Sequence, residues 1–215
     1  MGLAGKFGTL LFLLSGIFWG SLNAQTLFKP DRVFDGTSMQ EGWVVVVEGE
    51  LISFAGPASG YKGRPKSTVE LKGKTLMPGM IEGHAHLFLY PYNQTAWEVQ
   101  VLKESESYRT ARATRHAWAT LKAGFTTVRD LGTEGAGYAD AGLKRAIEEG
   151  IIPGPRLIIA GPALVATASY APFGYSSEIE IHKGAEESDG DDLIRTTREQ
   201  IGKGADFIKI YADYR

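Results

Sequence analysis

The pattern of hydrophobic and polar positions changes near residue 75. Before that point, short apolar runs at residues 44–47 and 51–54 are separated by the turn-forming sequences DG, EG and PASG. β-Branched runs bounded by glycine-rich turns are typical of short strands that pair with their sequence neighbours. The pattern therefore predicts part of a small β-sandwich domain over residues 25–75.

Residues 76–215 have a different pattern, in which strand-like and helix-like segments alternate. Ala113, Ala117 and Leu121 recur every four residues and predict a helix over residues 107–122 that ends at Gly124. Further helices are predicted over residues 138–150 and 191–203. The predicted strands are residues 75–83, 125–132, 155–161 and 205–211.

Such alternation predicts an α/β architecture of parallel strands joined by crossover helices. Four strands do not close a β/α (TIM) barrel, which takes about 250 residues and eight strands. We therefore expect residues 76–215 to be the first four β/α units of a metal-dependent barrel, in a fragment of a longer protein. The alternative is a complete open sheet of four strands, which would leave its last strand as an unprotected edge.

The first 24 residues have the composition of a secretory signal peptide. Lys6 precedes an apolar run at residues 9–19, and SLNA leads into Gln25. The run is shorter than the roughly 20 apolar residues of a membrane-spanning helix. We therefore expect a secreted or periplasmic location without permanent membrane insertion; an uncleaved anchor is the alternative. The chain has no cysteine, so any metal site lacks thiolate ligands.

The charge pattern argues against nucleic acid as a partner. The 23 basic residues are scattered and nearly balanced by 25 acidic ones, for a net charge of −2. A protein that binds phosphates concentrates its basic residues in a patch or stripe. Small or neutral substrates fit this composition better.

Two of the four histidines, His84 and His86, stand one residue apart where the first predicted barrel strand ends. Residues two apart on a strand point to the same side. Paired imidazoles at the carboxyl end of a parallel strand suit zinc or a neighbouring transition metal. Taken alone, the spacing also fits two partly exposed polar side chains.

The surrounding sequence TLMPGMIEGHAHL resembles the signature of the amidohydrolase superfamily, in which a small β-sandwich precedes a β/α barrel. Its imidazolonepropionase-like and Xaa-Pro dipeptidase-like branch is similar, in the same order, to LFKPDRVFDGTSMQEGWVVVVEGELISFAG, FTTVRDLG, GIIPGPRLIIAG and GKGADFIKIYADY. The resemblance extends over about residues 26–215.

That resemblance implies a metal centre built on His84, His86 and Lys209. In similar proteins the histidine pair binds the more buried of two divalent metals, expected here to be zinc. The lysine reacts with carbon dioxide, and the carbamate bridges both metals. Lys209 lies among apolar neighbours, where burial favours the neutral amine that this reaction needs. Without the resemblance, a lysine that reaches solvent or pairs with a carboxylate would be the simpler explanation.

Further residues are expected near the same site. Tyr211 follows the lysine by two positions, Arg129 ends the second barrel strand, and His182 lies in the long loop after the third; we assign all three to substrate binding. Core packing for Tyr211, an ion pair between Arg129 and Asp130, and a plain loop position for His182 stay open as alternatives. His116 lies inside the first predicted helix, and we expect a structural role for it.

The implied reaction is hydrolysis of an amide C–N bond by metal-activated hydroxide, with Lys209 as the catalytic residue of this chain. Dipeptides such as Xaa-Pro are the expected substrates, and a homo-oligomer is compatible with the family. A deacylase or a cyclic-amide (imidazolone-like) hydrolase is the alternative. Similar proteins take two further histidines and an aspartate from later strands. An inactive fragment, or one part of a two-chain assembly, is therefore the hypothesis of another class.

Overall fold

A computed structural model describes residues 24–172 and 174–212 of the chain. The predicted signal peptide, except for Ala24, lies outside the described residues. The chain divides into two compact units after Pro78. No helix within the described ranges is long and apolar enough to cross a membrane.

The first unit is a five-stranded sheet. Its strands are β1 (Gln25–Phe34), β2 (Met39–Glu41), β3 (Trp43–Glu48), β4 (Leu51–Pro57) and β5 (Ser67–Leu76). β1 pairs antiparallel with β2 and β3 and parallel with β5, and β4 pairs antiparallel with β3. The two strands predicted at residues 44–47 and 51–54 are confirmed as β3 and the first half of β4.

Both faces of this sheet carry apolar side chains. One face buries Leu27, Val44 and Val46, whereas Val45 and Val47 line a cavity of about 360 Å³. Successive residues of a strand point to opposite faces, so β3 is apolar on both. The described residues of this unit contribute a single sheet, and the predicted sandwich stays a prediction.

The second unit alternates strands and helices. Its elements are β6 (Met80–Ala85), α1 (Trp97–Lys103), α2 (Glu106–Lys122), β7 (Phe125–Asp130), α3 (Ala139–Glu148), β8 (Arg156–Ile159), β9 (Leu164–Val165), β10 (Glu186–Glu187) and α4 (Asp192–Gly202). β6, β7 and β8 form a parallel sheet in this order. Three of the four predicted parallel strands and all three predicted helices are confirmed; α1 had not been predicted.

Helix α2 could be predicted because its buried face and its end are marked in the sequence. The Ser105 side chain accepts a hydrogen bond from the Tyr108 N–H at 3.3 Å and caps the start of the helix. Gly124, with a φ of +99°, follows its end. Ala113 and Ala117 are fully buried and pack in one core with β7 and β8. This core holds the parallel strands with their carboxyl ends at one edge.

The prediction of a fourth regular strand over residues 205–211 is wrong. Within the described residues this segment has one β-bridge, between Ile210 and Leu164. It still runs parallel to the chain after β8, because the Asp206 N–H donates to the Ile159 carbonyl and the Leu164 N–H donates to the Lys209 carbonyl, both at 2.8 Å.

A turn in the partner chain explains the interrupted pairing. Gly161 has a φ of +68°, and Pro162 offers no backbone N–H to a ladder. The turn separates β8 from β9, so a continuous partner strand is missing over these residues. β9 instead pairs in parallel with β10, which belongs to the connection predicted as a polar loop.

Candidate metal centre

Two histidines meet at the carboxyl end of β6. His84 lies in the strand, and His86 follows Ala85, the last strand residue. Their ring centres are 5.4 Å apart at an interplanar angle of 63°. Both side chains line a cavity of about 470 Å³. The expected proximity of the two imidazoles is therefore present, although the strand itself carries only His84.

His86 is oriented by the loop after β7. Its Nδ1 atom lies 2.9 Å from the carbonyl oxygen of Gly132. A carbonyl can only accept, so Nδ1 carries the hydrogen and donates it. The lone pair of a neutral His86 then resides on Nε2. Histidines that bind metals commonly donate their other ring N–H to a carbonyl or carboxylate in this way.

The surroundings of His84, an exposed residue, disfavour its charged form. The pKa of His84 is lowered, first by desolvation and then by the neighbouring His86, Lys209 and Arg129. The backbone N–H of His84 donates to Glu82 Oε1 at 3.0 Å. A neutral imidazole is the form that binds metal.

Lys209 approaches the histidines from the segment after α4. The residue is half-buried, and its Nζ lies 4.8 Å from the centre of the Tyr211 ring. The positive charge of Lys209 contributes to the lowered pKa of His84. Residues far apart in sequence, one after β6 and one after α4, therefore share one region.

Arg129 and Asp130 make separate contacts at the end of β7. Arg129 is exposed, and its Nε donates to the Gly83 carbonyl at 2.8 Å. Asp130 is fully buried, and its Oδ2 accepts from the Leu87 N–H at 3.2 Å. Within the described residues these contacts replace the ion pair considered from the sequence, so that alternative is wrong.

The Asp130 carboxyl is unusual in a second respect. Burial raises the pKa of Asp130 to about 8, with the charges of Asp140 and Glu134 adding to the effect. Its Oδ1 is buried with no hydrogen-bond partner among the described residues. Asp130 therefore holds the backbone next to His86 largely as a neutral acid at neutral pH.

Sequence reasoning missed Glu134, which lies in the same loop as Gly132. Its side chain is 3% exposed. Three side chains donate to its carboxylate: the Tyr211 hydroxyl at 2.8 Å, the Tyr170 hydroxyl at 2.7 Å and the Trp97 indole N–H at 3.0 Å. Burial and the negative charge of Glu134 raise the pKa of both tyrosines above their usual range.

Tyr211, assigned to substrate binding, thus has a contact within the protein. Its hydroxyl donates to Glu134, and its ring stacks on that of Tyr170 with centres 4.7 Å apart. These contacts favour the packing alternative for Tyr211. They also place the ring that lies over Lys209 in a defined position.

Arg109 supports the loops that carry these residues. It is 1% exposed, and its guanidinium donates to the carbonyls of Phe88, Glu134 and Thr133 at 3.1, 2.8 and 2.9 Å. The sequence carried a signal for it: Arg109 lies four residues before Ala113 and therefore on the buried face of α2.

Of the remaining histidines, His116 lines the same cavity as His84 and His86, whereas His182 lies in the connection between β9 and β10. His116 Nδ1 is 2.8 Å from the Leu87 carbonyl oxygen, which agrees with the expected structural role. His182 is exposed, and its Nε2 is 2.7 Å from the Gly135 carbonyl oxygen. His182 thus contacts the residue that follows Glu134, and its assignment to substrate binding stays a prediction.

The converging side chains fit a divalent metal as a partial ligand set. Within the described ranges, no group of three or more His, Cys, Asp or Glu side chains is placed to hold a metal ion. His84 and His86 nevertheless offer two imidazoles of the kind that zinc prefers. Lys209 would add oxygen ligands only as a carbamate, so the described residues supply at most part of a ligand set.

Comparison with known proteins identifies the family of the second unit. Residues 75–215 match the family model described as the Amidohydrolase family. The ochratoxinase of Aspergillus niger is 28% identical over 201 residues, which cover 83% of this chain and 39% of that protein.

Two solved structures share the fold. One is a Xaa-Pro dipeptidase with methionine bound in its active site, at 27% identity and a TM-score of 0.75 over 87% of this chain and 47% of that one. The other is a prolidase complexed with N-methylphosphonate-L-proline, at 28% identity and a TM-score of 0.71 over 87% of this chain and 46% of that one. The chain spans less than half the length of each of these relatives.

Proposed function

Because the chain belongs to the amidohydrolase family, we propose that it provides the first ligands of a metal-dependent hydrolase that cleaves amide C–N bonds of small substrates. One observation carries the proposal: the His84 and His86 rings lie 5.4 Å apart, and the Gly132 carbonyl fixes the His86 tautomer that leaves Nε2 available. An imidazole pair oriented in this way suits a metal better than it suits packing.

His84, His86 and Lys209 would hold the metal ions, which we expect to be two zinc ions. A divalent metal bound there supplies a Lewis acid for the amide carbonyl and makes water more acidic. Lys209 must first lose a proton, after which its amine adds to carbon dioxide and gives an anionic carbamate with a second proton released. Lys209 is half-buried.

Dipeptides of the Xaa-Pro type are the first substrates we propose. Support comes from the two matched structures, which are named as a Xaa-Pro dipeptidase and a prolidase. A deacylase and a cyclic-amide hydrolase are the alternatives.

A second candidate concerns the 215-residue chain alone. The described residues bring together two histidines and one lysine, with no larger ligand group. We propose that this chain by itself is inactive and works only with further residues, carried by the same polypeptide or by a partner chain.

The test compares the complete gene product with its Lys209→Ala variant. Zinc per chain is measured by mass spectrometry, and hydrolysis is assayed with Ala-Pro, N-acetyl-L-phenylalanine and dihydrouracil. We expect about two zinc ions per chain, cleavage of Ala-Pro, and loss of activity in the variant. Metal-free protein without hydrolysis of any of the three substrates would rule the proposal out. The 215-residue chain, assayed in parallel, should be inactive, and EDTA-sensitive turnover by it would contradict the second candidate.

A further inference from the structure

Glu134 is a buried acidic residue that the hydrolytic chemistry does not require. Its side chain is 3% exposed, and its backbone has a φ of +52°, in the left-handed region that residues with a β-carbon rarely adopt. A buried carboxylate also loses its hydration. Both features are unfavourable, so the protein must compensate for them locally.

The compensation comes from separate segments of the second unit. Trp97 belongs to α1, Tyr170 to the connection after β9, and Tyr211 to the segment that follows α4; each donates a hydrogen bond to the carboxylate. The buried Arg109 guanidinium donates to the Glu134 carbonyl at 2.8 Å and brings a positive charge close to it. Glu134 thus joins elements that are otherwise distant along the chain.

One oxygen of Glu134 is close both to His86 and to the tyrosine that contacts Lys209. Oε1 accepts the Tyr211 hydroxyl at 2.8 Å, and the Tyr211 ring centre is 4.8 Å from Lys209 Nζ. The same Oε1 is 3.9 Å from His86 Nδ1. Glu134 therefore affects both candidate ligands. It holds the tyrosine next to Lys209, and its negative charge lies near His86.

We propose that Glu134 is a positioning residue that sets the distance between Lys209 and His86 and strengthens His86 as a metal ligand. This inference rests on the proposed function. Glu134 acts first by holding the Tyr211 ring, which limits where Lys209 Nζ can lie. It acts second by its negative charge beside the Nδ1–H of His86, which favours that tautomer and makes Nε2 a better electron-pair donor.

A purely structural role makes a different prediction. If Glu134 only ties segments together, its removal lowers stability but leaves the metal affinity of the folded protein unchanged. If it positions ligands, metal affinity falls even in a variant that stays folded. Tyr211→Phe removes one hydroxyl and keeps the ring, so this variant is well suited to separate the two roles.

The experiment measures zinc affinity by competition with a chelator in the complete gene product and in three variants: Tyr211→Phe, Glu134→Gln and the double variant. Circular dichroism shows which of them are folded at the assay temperature. We expect each single variant to bind zinc about 10- to 100-fold more weakly than the unchanged protein. The double variant should bind zinc more weakly than either single variant, because Tyr211→Phe removes the hydrogen bond to Glu134 and Glu134→Gln removes mainly the charge beside His86.

Tyr138→Phe is the matched control. It removes another half-buried tyrosine–carboxylate hydrogen bond, from the Tyr138 hydroxyl to Glu186 at 2.7 Å, outside the metal centre. We expect lower stability with unchanged zinc affinity. The cobalt-substituted proteins give a second readout, since the visible absorption of cobalt should change in Tyr211→Phe and not in Tyr138→Phe.

The possible failures are distinguishable. Zinc binding by the unchanged protein, with equal affinity in a folded Tyr211→Phe and Glu134→Gln, would overturn the positioning role and leave the hydrolase proposal intact. Raised KM for the substrate with unchanged zinc affinity in Tyr211→Phe would assign Tyr211 to substrate binding and also overturn it. Absence of zinc from the unchanged protein would overturn both proposals.

Discussion

The Nδ1 atom of His86 lies 2.9 Å from the carbonyl oxygen of Gly132, 46 residues further along the chain. The contact joins the end of β6 to the loop after β7. It determines which nitrogen of His86 keeps its lone pair. The candidate metal centre thus depends on the pairing of two neighbouring parallel strands, because that pairing sets the distance between ring and carbonyl.

His86→Asn should remove most of the bound metal. Asparagine can still donate to a carbonyl but offers no imidazole nitrogen to zinc. Zinc per chain in the complete gene product, measured by mass spectrometry after dialysis, should fall by at least half. His182→Gln is the control, because the exposed His182 contacts the Gly135 carbonyl outside the ligand set. Equal zinc content in His86→Asn and the unchanged protein would contradict the assignment of His86.

Lys209 should make metal loading depend on carbon dioxide. Metal-free protein is reconstituted with zinc in buffers with and without bicarbonate, and recovery of bound zinc is followed over time. We expect bicarbonate to accelerate recovery of the unchanged protein by roughly tenfold or more, since the carbamate must form before the site is complete. Lys144→Ala is the control: Lys144 forms an ion pair with Asp206 at 2.7 Å, and its removal should leave the bicarbonate effect in place. A bicarbonate effect that persists in Lys209→Ala would contradict the prediction.

Arg109→Met should destabilise the protein strongly. The methionine fills similar space but leaves the carbonyls of Phe88 and Glu134 without the donors that they have now, whereas the Thr133 carbonyl keeps the Ala136 N–H. Each buried group left unpaired costs about 1–3 kcal/mol, so we expect a loss of at least about 2 kcal/mol in the free energy of unfolding by urea. Arg145→Met provides the comparison, because the Arg145 side chain is 77% exposed and pairs with Glu149 on the surface of α3. That change should stay within about 0.5 kcal/mol; similar losses in both variants would disprove the role of Arg109.

Asp130 should make stability fall as pH rises. Its pKa is about 8 in the folded protein against an ordinary value of 3.8, so between these values the folded state holds a proton that the unfolded state has lost. The slope of unfolding free energy against pH is then negative, by at most about 1.4 kcal/mol per pH unit from this group. The contribution is complete below about pH 4 and is lost as pH rises through 8.

The measurement is urea unfolding of the unchanged protein and of Asp130→Asn at pH 5, 6.5 and 8. Asparagine cannot ionise and can still accept from the Leu87 N–H, so the variant should show a flatter dependence on pH. Asp140, whose pKa is raised to about 6 mainly by burial, contributes its own slope at lower pH and is present in both proteins. Parallel pH profiles for the two proteins would show that Asp130 is ionised in the folded state.

Much of the fold could be predicted because residues close together in the sequence determine the individual helices and strands. The four-residue recurrence of Ala113, Ala117 and Leu121 indicated α2, and Gly124 marked its end. The strand over residues 205–211 was predicted from its apolar residues alone. Its pairing depends on a turn at Gly161 and Pro162 in another segment. The composition of residues 205–211 does not indicate that turn.

The sequence alone determined the family resemblance and the βαβ order of the second unit, since these follow from residue type and short spacing. The resemblance in turn implied the candidate ligands His84, His86 and Lys209. Only the tertiary structure decided which nitrogen of His86 is available, that Arg109 supports the loops, and that Glu134 links Tyr211 to the histidine. The contact between Glu134 and Tyr211 spans 77 residues. Such contacts depend on how strands pair and where loops turn, and these are properties of the folded chain rather than of any short stretch of it.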